Sequence, residues 1–103
     1  MELYAVRELR TGPWDWTRGL REQEGFAEHG RFVEALVDEG FIVLGGPLEG
    51  EREVLLIVDE PGGDEAIRSR LADDPWHANG MLKVGSVERW TILLGAAARR
   101  AAR

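Results

Sequence analysis

Residues 41–59 read FIVLGGPLEGEREVLLIVD. Two β-prone runs, residues 41–48 and 52–59, flank a turn at Glu49 and Gly50. Branched and aromatic side chains favour the extended backbone, and glycine favours the reversal. Gly45, Gly46 and Pro47 interrupt the first run, which predicts a strand that ends in a bend there. The second run is apolar without a break at Val54, Leu55, Leu56, Ile57 and Val58. A strand of that kind needs cover on both faces.

Working outward, residues 21–39 carry Phe26, Gly30, Val33, Leu36 and Val37 at steps of three and four, one face of a helix that Gly40 stops. Before it, residues 2–9 alternate, with Leu3, Ala5, Arg7 and Leu9 on one side and Tyr4 and Val6 on the other, as a first strand requires. Thr11, Gly12, Pro13 and Gly19 punctuate the loop between them. That loop holds Trp14 and Trp16, rings costly to leave in water, so it is expected to pack over something. After the hairpin, Asp64 reads as the N-cap of a short helix burying Ala66, Ile67 and Leu71, ended by Asp73, Asp74 and Pro75. Residues 82–94 (LKVGSVERWTILL) read as the last strand.

The resulting order, β-α-β-β-α-β, is the ferredoxin-like α+β arrangement, an antiparallel sheet with both helices on one face. Residues 1–95 form its single domain and 96–103 an Ala/Arg-rich tail. Four or five apolar side chains on the other sheet face, at roughly 1.5–3 kcal/mol each, could match or exceed the ~4–15 kcal/mol cost of association. The expectation is therefore a two-fold homodimer with sheets packed face to face.

Composition narrows the functional classes. Thirteen Lys and Arg against 19 Asp and Glu give a net charge of -6, the wrong sign for a nucleic-acid surface. The one basic cluster, Arg99, Arg100 and Arg103, reads as complementing the dipole of a terminal helix. No long uncharged apolar run crosses a membrane, and the first ten residues lack the order of a signal peptide, so a cytoplasmic location is expected. The absence of cysteine excludes disulfides and thiolate metal sites, and with only two histidines no metal and no cofactor is expected. Asp59, Glu60, Asp64 and Glu65 lack the ligand spacing of a calcium loop and read as a solvated acidic face.

The residue with most chemistry is His29, three after Phe26 and four before Val33, on or beside the apolar helix face. An inward imidazole needs a partner; it is either a core histidine bonded to a backbone carbonyl or a proton carrier whose tautomer a carboxylate fixes. Asp74, before Pro75, offers that carboxylate and is also a natural cap for a helical turn through Trp76 and Asn79. The two duties are compatible, one oxygen serving each. His77, in a polar stretch, reads as exposed. Gly45-Gly46-Pro47 lacks the lysine and following helix of a phosphate loop; it is a strand bend or a close backbone approach to a small ligand.

Glu28-His29, Gly45-Gly46-Pro47-Leu48 and Asp74-Pro75-Trp76, in that order along the chain, resemble the YciI-like (YCII-related) family. The resemblance runs from the first strand to Leu94. It implies a dimeric α+β barrel related to muconolactone isomerase, with a histidine and aspartate in a pocket, here His29 and Asp74. One branch of the family includes a dehydrochlorinase, which implies proton abstraction and elimination as a chemistry. Many members carry an arginine before the helical histidine, where this chain has Gln23, Glu24 and Phe26.

The expected function is a cofactor-independent lyase or isomerase acting on a small organic molecule, with His29 as general base or acid, Asp74 orienting it, and Gly46, Pro47 and Trp76 lining the pocket. The competing expectation is a non-catalytic module that binds a small ligand or assists a neighbouring enzyme. A monooxygenase of the same dimeric fold is a third option.

Overall fold

The computed structural model describes residues 1–96; the basic cluster at Arg99, Arg100 and Arg103 lies outside the described residues. Strand β1 (Leu3–Arg10) leads through a 3-10 turn (Leu20–Glu22) to helix α1 (Phe26–Asp38). Strands β2 (Ile42–Pro47) and β3 (Glu53–Asp59) follow, then helices α2 (Gly63–Leu71) and α3 (Pro75–Ala78) and strand β4 (Leu82–Arg89). The fold is a small α+β unit with one antiparallel four-stranded sheet in the order β2-β3-β1-β4. No helix among the described residues is long and apolar enough to cross a membrane.

Register sorts the two sheet faces. Tyr4, Val6 and Glu8 stand opposite Val58, Leu56 and Val54, and Val6 also stands opposite Val87 of β4. Since alternate residues share a face, the apolar ones among these side chains meet Leu36, Phe41, Ile67 and Leu71 in the main core. Leu3, Ala5 and Leu55 take the other face with Ile57, which is buried yet joins neither core cluster. Both faces of β3 therefore carry apolar side chains, as its unbroken run demands. A second cluster, Trp14, Trp76, Met81 and Leu82 with Phe26 against it, seals the end of the sheet where α3 lies.

Four expectations shift, each for a local reason. Helix α1 starts at Phe26 rather than Arg21 because Gly25 adopts φ +78, a left-handed break. A Cβ at Gly25 would also come within 3.3 Å of the Trp76 ring nitrogen. Gly62, not Asp64, caps α2; Asp64 lies in the first turn, paired with Arg68 one turn on. Gly45-Gly46-Pro47 does not end β2: these residues pair with Leu56, Leu55 and Val54, and the irregularity falls between Ile42 and Leu44. Proline is tolerated because β2 is an edge strand, and Gly45 leaves room for Leu56, whose Cδ2 would lie 2.7 Å from a Cβ there and have to shift. Finally, β4 ends at Arg89 rather than Leu94. Its partner β1 begins at Leu3, so after Trp90 N–H donates to Leu3 O (2.9 Å) little backbone remains to pair with.

Candidate functional site: an imidazole–carboxylate pair beside an apolar cavity

The site grows from the four-residue helix α3. Pro75 stands at its first position, where a missing N–H costs nothing, and Asp74 caps it by accepting the Trp76 N–H at 2.9 Å. The cap is almost wholly buried, with 1% exposure. On α1, His29 lies one turn into the helix and turns inward toward α3. Its Nδ1 lies 2.9 and 2.8 Å from the two Asp74 oxygens, 45 positions away in sequence. A carboxylate is an acceptor only, so it selects the tautomer that carries the proton on Nδ1. Nε2 is left with its lone pair free and with no hydrogen-bond partner among the described residues.

Trp76 fixes the ring from the side. Its indole stacks on His29 with centroids 3.8 Å apart and planes 11° from parallel, and its Nε1–H donates to Glu24 O at 2.8 Å. Trp14 meets the same indole edge-on at 5.2 Å. The tryptophan loop thus packs over α3 through Trp14, while Trp16 remains half exposed. Gln23, buried at the foot of that loop, donates to Asp15 O (2.7 Å) and Arg18 O (3.1 Å) and accepts from Asp15 N–H (3.0 Å). These bonds satisfy loop backbone groups that secondary structure leaves open.

Between α1 and the helix-facing side of the sheet opens a cavity of about 310 Å³. His29, Gly46, Pro47 and Trp76 line it, and Asp74 stands behind the imidazole, off the wall. Most of the remaining wall is aliphatic, including Val33, Val37, Val54 and Leu56. A small apolar chamber with a few polar groups is what a small-molecule site requires. Among the described residues no group of three or more His, Asp or Glu side chains could hold a metal ion.

Two polar groups on that wall, Glu8 and Arg10, escaped the sequence reading. Both continue the alternation of Tyr4 and Val6 toward the helices, so extending it along β1 would have found them. Glu8 is buried against His77, whose Nε2 is hydrogen-bonded to its carboxylate. His77 is therefore not the exposed residue expected: its side chain is 8% exposed, because α3 carries it over β1. Arg10 stacks its guanidinium on Trp14 (4.1 Å) and donates from Nη1 to Glu51 O (2.7 Å). Burial lowers the Arg10 pKa from its ordinary value, with Glu51 pulling the other way.

No family model matches this sequence, and comparison with curated proteins finds no match either.

Proposed function

We propose that this protein is a cofactor-independent enzyme of the YciI-like kind, a lyase or isomerase that moves a proton on a small organic molecule. One observation carries this reading: an imidazole on a cavity wall, held through Nδ1 by a buried carboxylate and stacked on an indole. Its Nε2 takes a proton from a substrate carbon. The electron pair left behind forms a double bond and either expels a leaving group, as in elimination, or is captured by reprotonation at a neighbouring carbon, as in isomerisation. Asp74 keeps the ring in register and offsets the charge it gains. Gly46, Pro47 and Trp76 shape the chamber. A positioned base contributes ~10²–10⁴-fold, about 3–5 kcal/mol of barrier.

The strand order supports a ferredoxin-like assignment, and the apolar face opposite the helices supports a dimeric α+β barrel. Leu44, 68% exposed, stands opposite Ile57 on that face, and Leu93 and Leu94 beyond β4 are more than four-fifths exposed. A second copy packed sheet to sheet would cover the apolar face.

The second reading, a non-catalytic module binding a small ligand or assisting an enzyme, draws on the cap that Asp74 supplies to α3. On that reading the His29–Asp74 bond serves folding. His29→Gln separates the two. The enzyme reading expects loss of turnover, screened on lactones, quinols and haloaromatics, with the oligomer intact. Undiminished turnover in the variant refutes it, and a lower unfolding midpoint with no turnover in either protein favours the module.

A further inference from the structure

The proton-transfer reading leaves open what holds the substrate. Besides His29, two ionisable side chains line the cavity, Glu8 and Arg10. Glu8 is already engaged by His77. Arg10 is in a different position. Its side chain is 3% exposed, yet its carboxylate neighbour, Glu51, is itself 65% exposed and stands 3.7 Å away. Nε is sealed from water and has no hydrogen-bond partner among the described residues. Nη1 alone is bonded, to a backbone carbonyl. Glu51, Glu8 and the Trp14 ring favour the charge, yet burial outweighs them and lowers the Arg10 pKa, so the cation is only partly compensated, and such a cost is offset elsewhere when a bound anion completes the pair.

We propose that Arg10 is the anchor for a carboxylate on the substrate, so that the cavity takes a small monocarboxylic acid with an apolar body. This rests on the proton-transfer reading and specifies its substrate class. The guanidinium is stacked on Trp14, Trp14 meets Trp76 edge-on, and Trp76 is stacked on His29, so one run of packed rings fixes the anchor relative to the base. A planar guanidinium matches a carboxylate in two parallel hydrogen bonds, which positions a ligand as well as holding it. A single arginine on the wall selects a monoanion over a phosphate: Glu8 is taken up by His77, and a dianion on one guanidinium would leave a charge unmatched beside an apolar wall. The aliphatic wall at Val33, Val37, Val54 and Leu56 suits a single ring or a short chain, in keeping with about 310 Å³.

Calorimetric titration with benzoate, 3-phenylpropionate and hexanoate, each beside its primary amide, tests the assignment without requiring turnover. At least one acid should bind the wild-type protein roughly ten- to a hundred-fold tighter than its amide, the range of a buried charged hydrogen bond. In Arg10→Gln the gap should close to within about threefold, and Arg10→Lys should keep part of it. Equal binding of acid and amide by the wild-type protein, or no saturable binding of any acid, overturns the proposal even if Arg10→Gln fails to fold. His29→Gln should preserve the acid preference; if it abolishes the preference, the anion sits on His29 and the Arg10 assignment falls. An acid preference that depends on Arg10, in a protein that turns nothing over, sinks the proton-transfer reading alone.

Discussion

Replacing Asp74 with asparagine changes one atom in the structure and reverses the tautomer of His29. The Trp76 N–H must still be accepted, and only the amide oxygen can accept it, so that oxygen stays at the Oδ1 position 2.9 Å away. The amide nitrogen then occupies the Oδ2 position, 2.8 Å from His29 Nδ1. Nδ1–H could still reach the amide oxygen at 2.9 Å, but its proton would then crowd the amide N–H at 2.8 Å, so a lone pair on Nδ1 is favoured and the proton moves to Nε2. The cap survives, since asparagine and aspartate are equivalent there, and the stability lost is the difference between a charged and a neutral hydrogen bond, about 0.5–2 kcal/mol. Asp74→Ala instead orphans the buried Trp76 N–H as well and should cost about 2–5 kcal/mol. Nitrogen-15 spectra of the imidazole, recorded where the ring is neutral, distinguish the tautomers directly. The wild-type protein should carry Nδ1–H and Asp74→Asn Nε2–H, with any turnover lost and the fold retained. A variant that keeps Nδ1–H, or that falls as far in stability as Asp74→Ala, refutes the reasoning.

Gln23→Ala removes three hydrogen bonds to the backbone of the tryptophan loop and should lower stability by about 1.5–4.5 kcal/mol; an unchanged denaturant midpoint counts against its role as the loop's clasp. Glu8→Leu leaves the buried ring of His77 without its partner and should cost about 1–3 kcal/mol, whereas a variant as stable as the parent means the pair contributes nothing net. In sedimentation the protein should run at twice its 11.5 kDa chain mass, and Leu44→Lys on the apolar face should shift it toward the monomer. A wild-type monomer at micromolar concentration contradicts the paired-sheet proposal.

The sheet was legible in the sequence because strand signals are local. Alternation in β1 and the unbroken apolar run in β3 each follow from which faces are covered. Element ends were less legible, because they depend on partners far along the chain. Nothing in WTILL marks the end of β4; what ends it is that β1 starts at Leu3. The start of α1 turned on whether Gly25 would be helical or left-handed, and that is decided by the closeness of Trp76, many residues later. The pairing of His29 with Asp74 was suggested by the resemblance and by a cap signal, whereas Glu8 and His77 sit in contexts that look solvated. Polar neighbours in sequence, as in His77-Ala78-Asn79-Gly80, do not reveal that the next layer in space is a strand.

Helix α3 links these features. Four residues are too few for a helix to persist on its own, so α3 exists because of what pins it. Asp74 pins its start three times: its side chain caps Trp76 and meets His29, and its backbone oxygen accepts the N–H groups of His77 and Ala78, each at 2.9 Å. Trp76 pins the middle in the second core cluster, and His77 pins the far side to Glu8 on β1. The groups that would do chemistry are thus the groups that hold the turn, so a substitution among them changes stability as well as any turnover, even where the fold is retained. Loss of activity alone therefore cannot assign a role here. A tautomer, or a preference for acid over amide, can, because neither changes merely because the helix is less stable.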